Sequence, residues 1–559
     1  MRYDGANVVY ATAPGSALNS KLFFFSLTSA LAGFLFGFDT VVISGAEQKI
    51  QSLWQLSDLA HGGAISAALW GTVLGSLVGG IPTDRLGRKT TLIFIGVLYL
   101  VSAIWSSVAG DVWSFGIARM IGGVGVGIST VAAPMYISEI APAKYRGRLA
   151  GLFQFNIVLG ILIAFVSNAL LGDAGVSAWR WMLGVEAIPA VVYTAMAFTL
   201  PESPRWLLTR GRRDEAIATL QSVAPEIDRA EAVRRADQIS SPDDPVISNR
   251  TGVATMGDND GPYRPPADAD VTTPEEGRRR LDDRFWSSKL KYPIAIAFLV
   301  AVFNQLSGIN AVLYFAPRIF GLTGLGADTA RAQSIGIGIT NLVFTFAGLY
   351  LIDRIGRRTL LVIGSIGYIA SLGVCAASFY VGRDDFRTAA AATELRSAIA
   401  EGDPATINPA RDAFVATLDD ASELSEVDAD DRDVAKWDGV AQRAFDAAVD
   451  RSGSAGIVIL VGIFAFIASH AIGQGAVIWV LISEIFPDRH RAAGQSLGSF
   501  THWIFAASLT FAFPIAVGAF APYVVFGFFA AMMVLQLVWV LAMVPETKGI
   551  PLEQIRFGR

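Results

Sequence analysis

Three groups of residues in this chain could do chemistry in an apolar setting. The first is Asp39, in "LAGFLFGFDTVVISGA" (31–46), where Lys21 and Glu47 bracket 25 residues whose only formal charge is that carboxylate. The second is Arg119, opening "RMIGGVGVG". The third is "FNQLSGINAVLYF", which places Asn304, Gln305, Asn310 and Tyr314 in a stretch otherwise greasy. A charge at membrane depth costs about 2.5–3.5 kcal/mol on insertion scales, so Asp39 must face an interior and have a partner. Side-chain amides both donate and accept, which suits a ligand bearing hydroxyls. Gln305 and Asn310 are five apart and converge only if the helix between them breaks, which Gly308 permits.

The elements that must position these groups are apolar helices. Of 559 residues, 53% are hydrophobic and 17% charged, and the mean hydropathy is +0.47. A soluble protein carries about 25% charge, so this is a polytopic membrane protein. Twelve apolar runs are long enough to cross a bilayer: 21–46, 62–81, 91–109, 113–138, 149–171, 179–200, 292–316, 332–352, 359–382, 454–483, 494–515 and 520–544. The first twenty residues lack the basic start and cleavage site of a signal peptide, so the first run is expected to stay as a span. A single cysteine, Cys375, rules out an intramolecular disulfide, and a formal charge of −5 argues against nucleic acid.

Basic residues concentrate in alternate loops: Arg85, Arg88 and Lys89; Lys144, Arg146 and Arg148; the block 205–291; Arg354, Arg357 and Arg358; Arg489 and Arg491; Lys548. The bias predicts that both termini and the central block are cytoplasmic. In the first span's outward run Asp39 comes late, and Arg119 lies early in the inward-running fourth, so the two can share one depth. Protonating Asp39 would then remove its charge whenever the two separate, leaving no buried unpaired carboxylate.

The halves repeat. "GGIPTDRLGRKT" (79–90) recurs as "GLYLIDRIGRRT" (348–359), "SEIAPAKYRG" (138–147) as "SEIFPDRHRA" (483–492), and "PESPRW" (201–206) as "PETKGI" (545–550). Asp84 to Glu139 is 55 residues but Asp353 to Glu484 is 131, which exposes an insertion of 76 between spans nine and ten. From 383 to 451 it carries 17 acidic and 8 basic residues, a net −9, and reads as a solvated acidic cap or linker. Within it Val434, Trp437, Ala441, Ala444 and Ala448 share one helical face. The expected organisation is an N-terminal six-helix half (1–200) and a linker with short amphipathic helices (201–291). A C-terminal half (292–544) with an acidic extracytoplasmic insertion (383–452) and a tail (545–559) follow. Within the linker, 241–272 is expected to be disordered.

"GFDTVVISGA", "DRLGRK", "RMIGGVGVGI", "PMYISEIAPAKYRG", "PESPRWL", "NQLSGINAVLYFAP", "DRIGRR", "WVLISEIFP" and "PETKG" together resemble the sugar porter family of the major facilitator superfamily, in order and over both halves. The resemblance implies an all-α membrane protein of twelve transmembrane helices in two pseudo-symmetric halves. It also implies a proton-coupling role for Asp39 with Arg119, and adds Gln154, Asn341, Trp479 and Trp503 to the helix 7 residues as substrate ligands. The implied activity is proton-coupled uptake of a hexose or pentose by alternating access. A facilitative sugar, polyol or inositol uniporter is the alternative, and a transporter-like sensor a more distant one. An enzyme is not expected, because the four histidines and one cysteine form no constellation. Acids and bases recurring at the motif ends suggest a gate network of Asp84, Arg88, Glu139, Arg146, Glu202, Asp353, Arg357, Glu484, Arg491 and Glu546, whose pairs hold the outward-open state and break for release. The expected partners are a small-molecule sugar, a proton and the lipid bilayer of the plasma membrane, with no cofactor, no metal and a monomeric working unit. The sequence departs from the family pattern at Asn304, where many members have glutamine, at Ile161 and His502, where some do, and at Ala476, where proline is common.

Overall fold

The computed structural model describes residues 20–239, 285–321, 327–402, 404–418 and 434–548. Twelve of its helical stretches are long and apolar enough to cross a membrane. They are Ser20–Gly45, Asp58–Val78, Arg88–Val108, Val112–Ile140, Gly151–Leu171 and Ala178–Phe198 in the first half. Ser288–Tyr314, Ala330–Ile355, Arg357–Val381, Val434–Ile485, His490–Ala519 and Pro522–Met543 make up the second. Below they are spans 1 to 12. Loops 79–87 and 141–142 and the described linker helices lie at one end of the bundle, the linker face. Residues 47–57 and the described insertion helices lie at the other, the insertion face.

Between lipid-immersed helices apolar burial contributes little, so close backbone approach decides which helices pair. The "GGVGVG" run shows this directly. A Cβ on Gly123 would sit 1.8 Å from the Ala68 carbonyl oxygen, and one on Gly37 would sit 1.9 Å from that of Ile157. Spans 2 and 4, and spans 1 and 5, therefore meet backbone to backbone. Spans 1 and 4 also pack, with Ser29 donating to the Ala133 carbonyl at 3.1 Å, and this puts Asp39 and Arg119 on facing helices.

The repeat extends to backbone angles. Gly87 has φ 96° and ψ 164°, and Gly356 has φ 96° and ψ 162°, each at the turn into the next span. Positive φ there favours glycine. A side chain at either would also strike a carboxylate, Glu202 or Glu546, at 2.3 Å.

The linker supplies three described helices, Pro204–Thr209, Arg213–Val223 and Arg229–Ile239. The stretch expected to be disordered, 241–272, lies outside the described residues. In the insertion, helices Arg383–Glu401 and Pro404–Val415 pack on the start of Val434–His470 around Leu395, Phe414 and Trp437. Trp437, Ala441, Ala444 and Ala448 are buried as their spacing predicts, but Val434 is 40% exposed. The boundary expected at 452 is no structural break. Val434–His470 is one helix, because the small-residue stripe of Ala444, Ala448, Ser452 and Gly456 continues in register into Ile459 and Ile463 of span 10.

Candidate functional site

Asp39 and Arg119 meet inside the N-terminal half. Arg119 donates from Nη1 to Asp39 Oδ1 at 2.5 Å and from Nη2 to the Asp39 backbone oxygen at 3.0 Å, with both side chains almost wholly buried. A third ionisable group, missed in the sequence reading, stands beside them. Glu186 in span 6 is 1% exposed, its charged neighbours are Asp39 and Arg119, and its carboxylate oxygens have no hydrogen-bond partner among the described residues. The signal was present: an acid inside "WRWMLGVEAIPAVVY" deserves the same question as Asp39. With both carboxylates ionised, the one buried guanidinium would leave a negative charge over. A single proton can neutralise that cluster without exposing Arg119.

The amides converge through a broken helix. Span 7 runs as Lys291–Leu306, turns through Gly308 at φ 85°, and resumes as Ile309–Tyr314. The break lets Asn310 donate to Gln305 Oε1 at 2.7 Å, while Gln305 Nε2 donates to Asn304 Oδ1 at 2.9 Å. Gln305 Nε2 also lies 3.2 Å from both ring nitrogens of His502. His502 packs on Trp479 at 5.1 Å between ring centroids and on Trp503 at 4.7 Å. Trp503 in turn meets Phe36 of span 1 at 5.5 Å, so the aromatic wall reaches the opposite half. The sequence reading marked His502 as a departure but left it out of the site. Its membership depends on span 11 folding against span 7, which no local pattern records.

Three expected ligands stand apart. Gln154 in span 5 and Asn341 in span 8 make no hydrogen bond to the amide cluster among the described residues. Tyr314 is 1% exposed, and its charged neighbours are Asp39 and Arg119 rather than the amides. Four residues after Asn310, it lies on the same face of the half-helix. One end of that short element therefore meets the amides and the other lies near the ion pair.

The acids and arginines expected in a gate network meet within each half, with divided roles. Arg88 pairs with both carboxylate oxygens of Glu139 at 2.8 Å, and Arg357 pairs with those of Glu484 at 3.0 and 2.8 Å. Asp84 and Asp353 are outer partners at 3.4 and 3.2 Å, each four residues before its arginine. Among the described residues, Glu202 and Glu546 meet backbone N–H groups rather than the side chains of Arg88 and Arg357. Glu202 accepts from the backbone nitrogens of Arg88 and Lys89, and Glu546 from those of Arg357 and Arg358. Each caps a helix start whose first N–H groups have no partner in the helix. Arg491 donates to the Ser483 carbonyl at 2.9 Å, and the side chain of Arg146 lies outside the described residues.

Two bundles of six helices, each carrying the same turn and capped pair, holding a buried ion cluster and an amide-aromatic cluster, define a membrane carrier. The chain matches the model of the sugar (and other) transporter family over residues 25–253, 265–394 and 440–557, and it belongs to that family. Residues 395–439, outside the match, fall in the insertion. It is 27% identical to the arabinose-proton symporter of Bacillus subtilis over 95% of this chain and 93% of that protein. It is 30% identical to the glucose transport protein of a Synechocystis strain, over 94% and 95%. The partially occluded inward-open conformation of the xylose transporter XylE from E. coli superposes with a TM-score of 0.65 at 26% identity, covering 95% of this chain and all of that one. The protein is thus a membrane sugar transporter of the major facilitator fold and not an enzyme.

Proposed function

We propose that this chain takes up a pentose or hexose together with a proton, by alternating access, working as a monomer in the plasma membrane. The linker face and both termini are cytoplasmic in this reading, as the lysine and arginine distribution favours. The observation that carries it is the buried cluster of Asp39, Arg119 and Glu186, because a carrier of neutral solute has no need to bury an ionisable triad. The amides Asn304, Gln305 and Asn310, with His502, bind sugar hydroxyls, and Trp479 and Trp503 lie against the apolar ring faces. Gln154 and Asn341 complete the pocket from spans 5 and 8. Sugar drawing on Asn310 moves the half-helix Ile309–Tyr314, and with it the tyrosine beside Asp39, so binding and protonation are linked mechanically.

The pairs of Arg88 with Glu139 and Arg357 with Glu484 keep each half rigid as the halves rock, with Asp84, Asp353 and Arg491 completing the set. The relatives named for arabinose and glucose make these sugars, with xylose and galactose, the first panel to try. Uptake into proteoliposomes of purified protein, with and without an inward proton gradient, tests the reading. Accumulation above the external concentration only with the gradient supports it; equal uptake under both conditions rejects symport.

A further inference from the structure

The insertion face holds a polar cluster that the transport cycle above does not use. Glu47, just after span 1, is wholly buried, and His61 of span 2 places Nε2 at 2.8 Å from its Oε2. Its other partner comes from the opposite half. Arg318, on the short helix Ala316–Gly321 that follows the broken span 7, donates from Nε to Glu47 Oε1 at 3.0 Å and from Nη2 to Oε2 at 2.7 Å. The same Nη2 reaches Gln51 Oε1 at 2.5 Å, and Gln51 donates to Asp58 Oδ1 at 3.1 Å. A two-pronged guanidinium on a carboxylate is among the strongest polar contacts available, and its burial removes solvent screening.

We propose that Glu47 and Arg318 form a latch that holds the insertion face shut, with His61 and Gln51 as its positioning residues. The two members belong to different halves and lose each other when the halves part. Glu47 keeps His61 when that happens, since both belong to the N-terminal half, so the open state does not strand a bare carboxylate. Arg318 is already 22% exposed and passes readily into water. The latch lies eight residues beyond Asn310 on the same segment, so a sugar that draws in the half-helix also pulls on Arg318.

The latch rests on the alternating access proposed above but not on the solute carried, and its test needs neither sugar nor gradient. Spin labels at Leu170→Cys and Phe520→Cys, both exposed at the insertion face in opposite halves, report its opening in the full-length protein; Cys375 is buried and stays unlabelled. Glu47→Gln and Arg318→Gln should each raise the ratio of long to short distances by about tenfold or more, since each removes the two-pronged charged contact between the halves. Exchanging the charges, Glu47→Arg with Arg318→Glu, should bring back part of the short population. Asp173→Asn removes another cross-half pair of the described residues, to Arg331 at 2.9 Å, but Asp173 is 85% exposed and its loss should leave the distances unchanged. Unchanged distances in both latch variants overturn the proposal, as does an equal shift with Asp173→Asn. If Glu47→Gln does not fold, Arg318→Gln at the more exposed end decides alone.

Discussion

Replacing Asp39 with asparagine removes the carboxylate hydrogen-bonded to Arg119 while keeping the volume of the side chain. Taking one partner from a buried pair ordinarily costs about 3–5 kcal/mol, because the remaining charge is stranded. Here Glu186 stands beside the same guanidinium, so it can take over as counter-ion and the variant should fold. What it should lose is coupling. A proton crossing one pH unit supplies about 1.4 kcal/mol, a tenfold accumulation. A potential of 100 mV adds about 2.3 kcal/mol per charge. Together they allow one proton to sustain a sugar ratio of roughly 500-fold, whereas an uncoupled carrier stops at unity. The assay is radiolabelled sugar in proteoliposomes under an imposed pH gradient and potassium diffusion potential, with counterflow exchange as the measure of binding and rocking. Asp39→Asn should exchange but not accumulate. Accumulation at the wild-type ratio would refute the assignment of the proton to this cluster. Asp39→Asn with Glu186→Gln should fold poorly, because Arg119 then has no acid beside it.

Other expectations follow from the same geometry. Gln305→Ala removes the hub joining Asn304, Asn310 and His502, and with about 1–3 kcal/mol at stake for unpaired polar groups, sugar affinity in equilibrium binding should fall by roughly 5- to 100-fold. Arg88→Ala should lower the thermal unfolding midpoint in detergent more than Arg357→Ala, because Glu139 is 7% exposed and Glu484 is 30% exposed. Trp437→Ala should destabilise the three helices of the insertion by about 3–5 kcal/mol, measured as faster proteolysis between residues 383 and 452, with uptake retained. Burial alone would push the Glu47 carboxyl up, but the His61 hydrogen bond and the Arg318 charge outweigh it and hold it below the usual carboxylate range. A depressed group stabilises the closed face above its ordinary pKa of about 4.3 and loses that contribution as pH falls through the lowered value. The Leu170 to Phe520 distance should therefore stay constant from about pH 8 to pH 5 and lengthen only in stronger acid. His61, Arg318 and, through Gln51, Asp58 are the charged or titratable groups facing Glu47, and lengthening already at pH 6 would contradict this reading.

Hydropathy alone determined the twelve spans, since crossing hydrocarbon demands a continuous apolar stretch and that property is local in the chain. The repeated motifs likewise revealed two related halves, and the lone acid in span 1 announced itself as a cost needing a partner. A break at Gly308 was legible because glycine between two amides leaves few alternatives. What tertiary structure alone decided was which distant groups meet. Glu47 and Arg318 are 271 residues apart, His502 reaches Gln305 across 197, and Glu186 joins Asp39 from another helix. Tyr314 shares a short helix with Asn310 yet belongs to the ion cluster, and Glu202 and Glu546 cap helices instead of pairing with arginines. These placements depend on how closely the helices approach, which is set by seams such as Gly37 on Ile157 and Gly123 on Ala68. A pattern read along one helix shows which face is small or polar. It does not show which neighbour that face will touch, because that choice is made by backbone shape across the whole bundle.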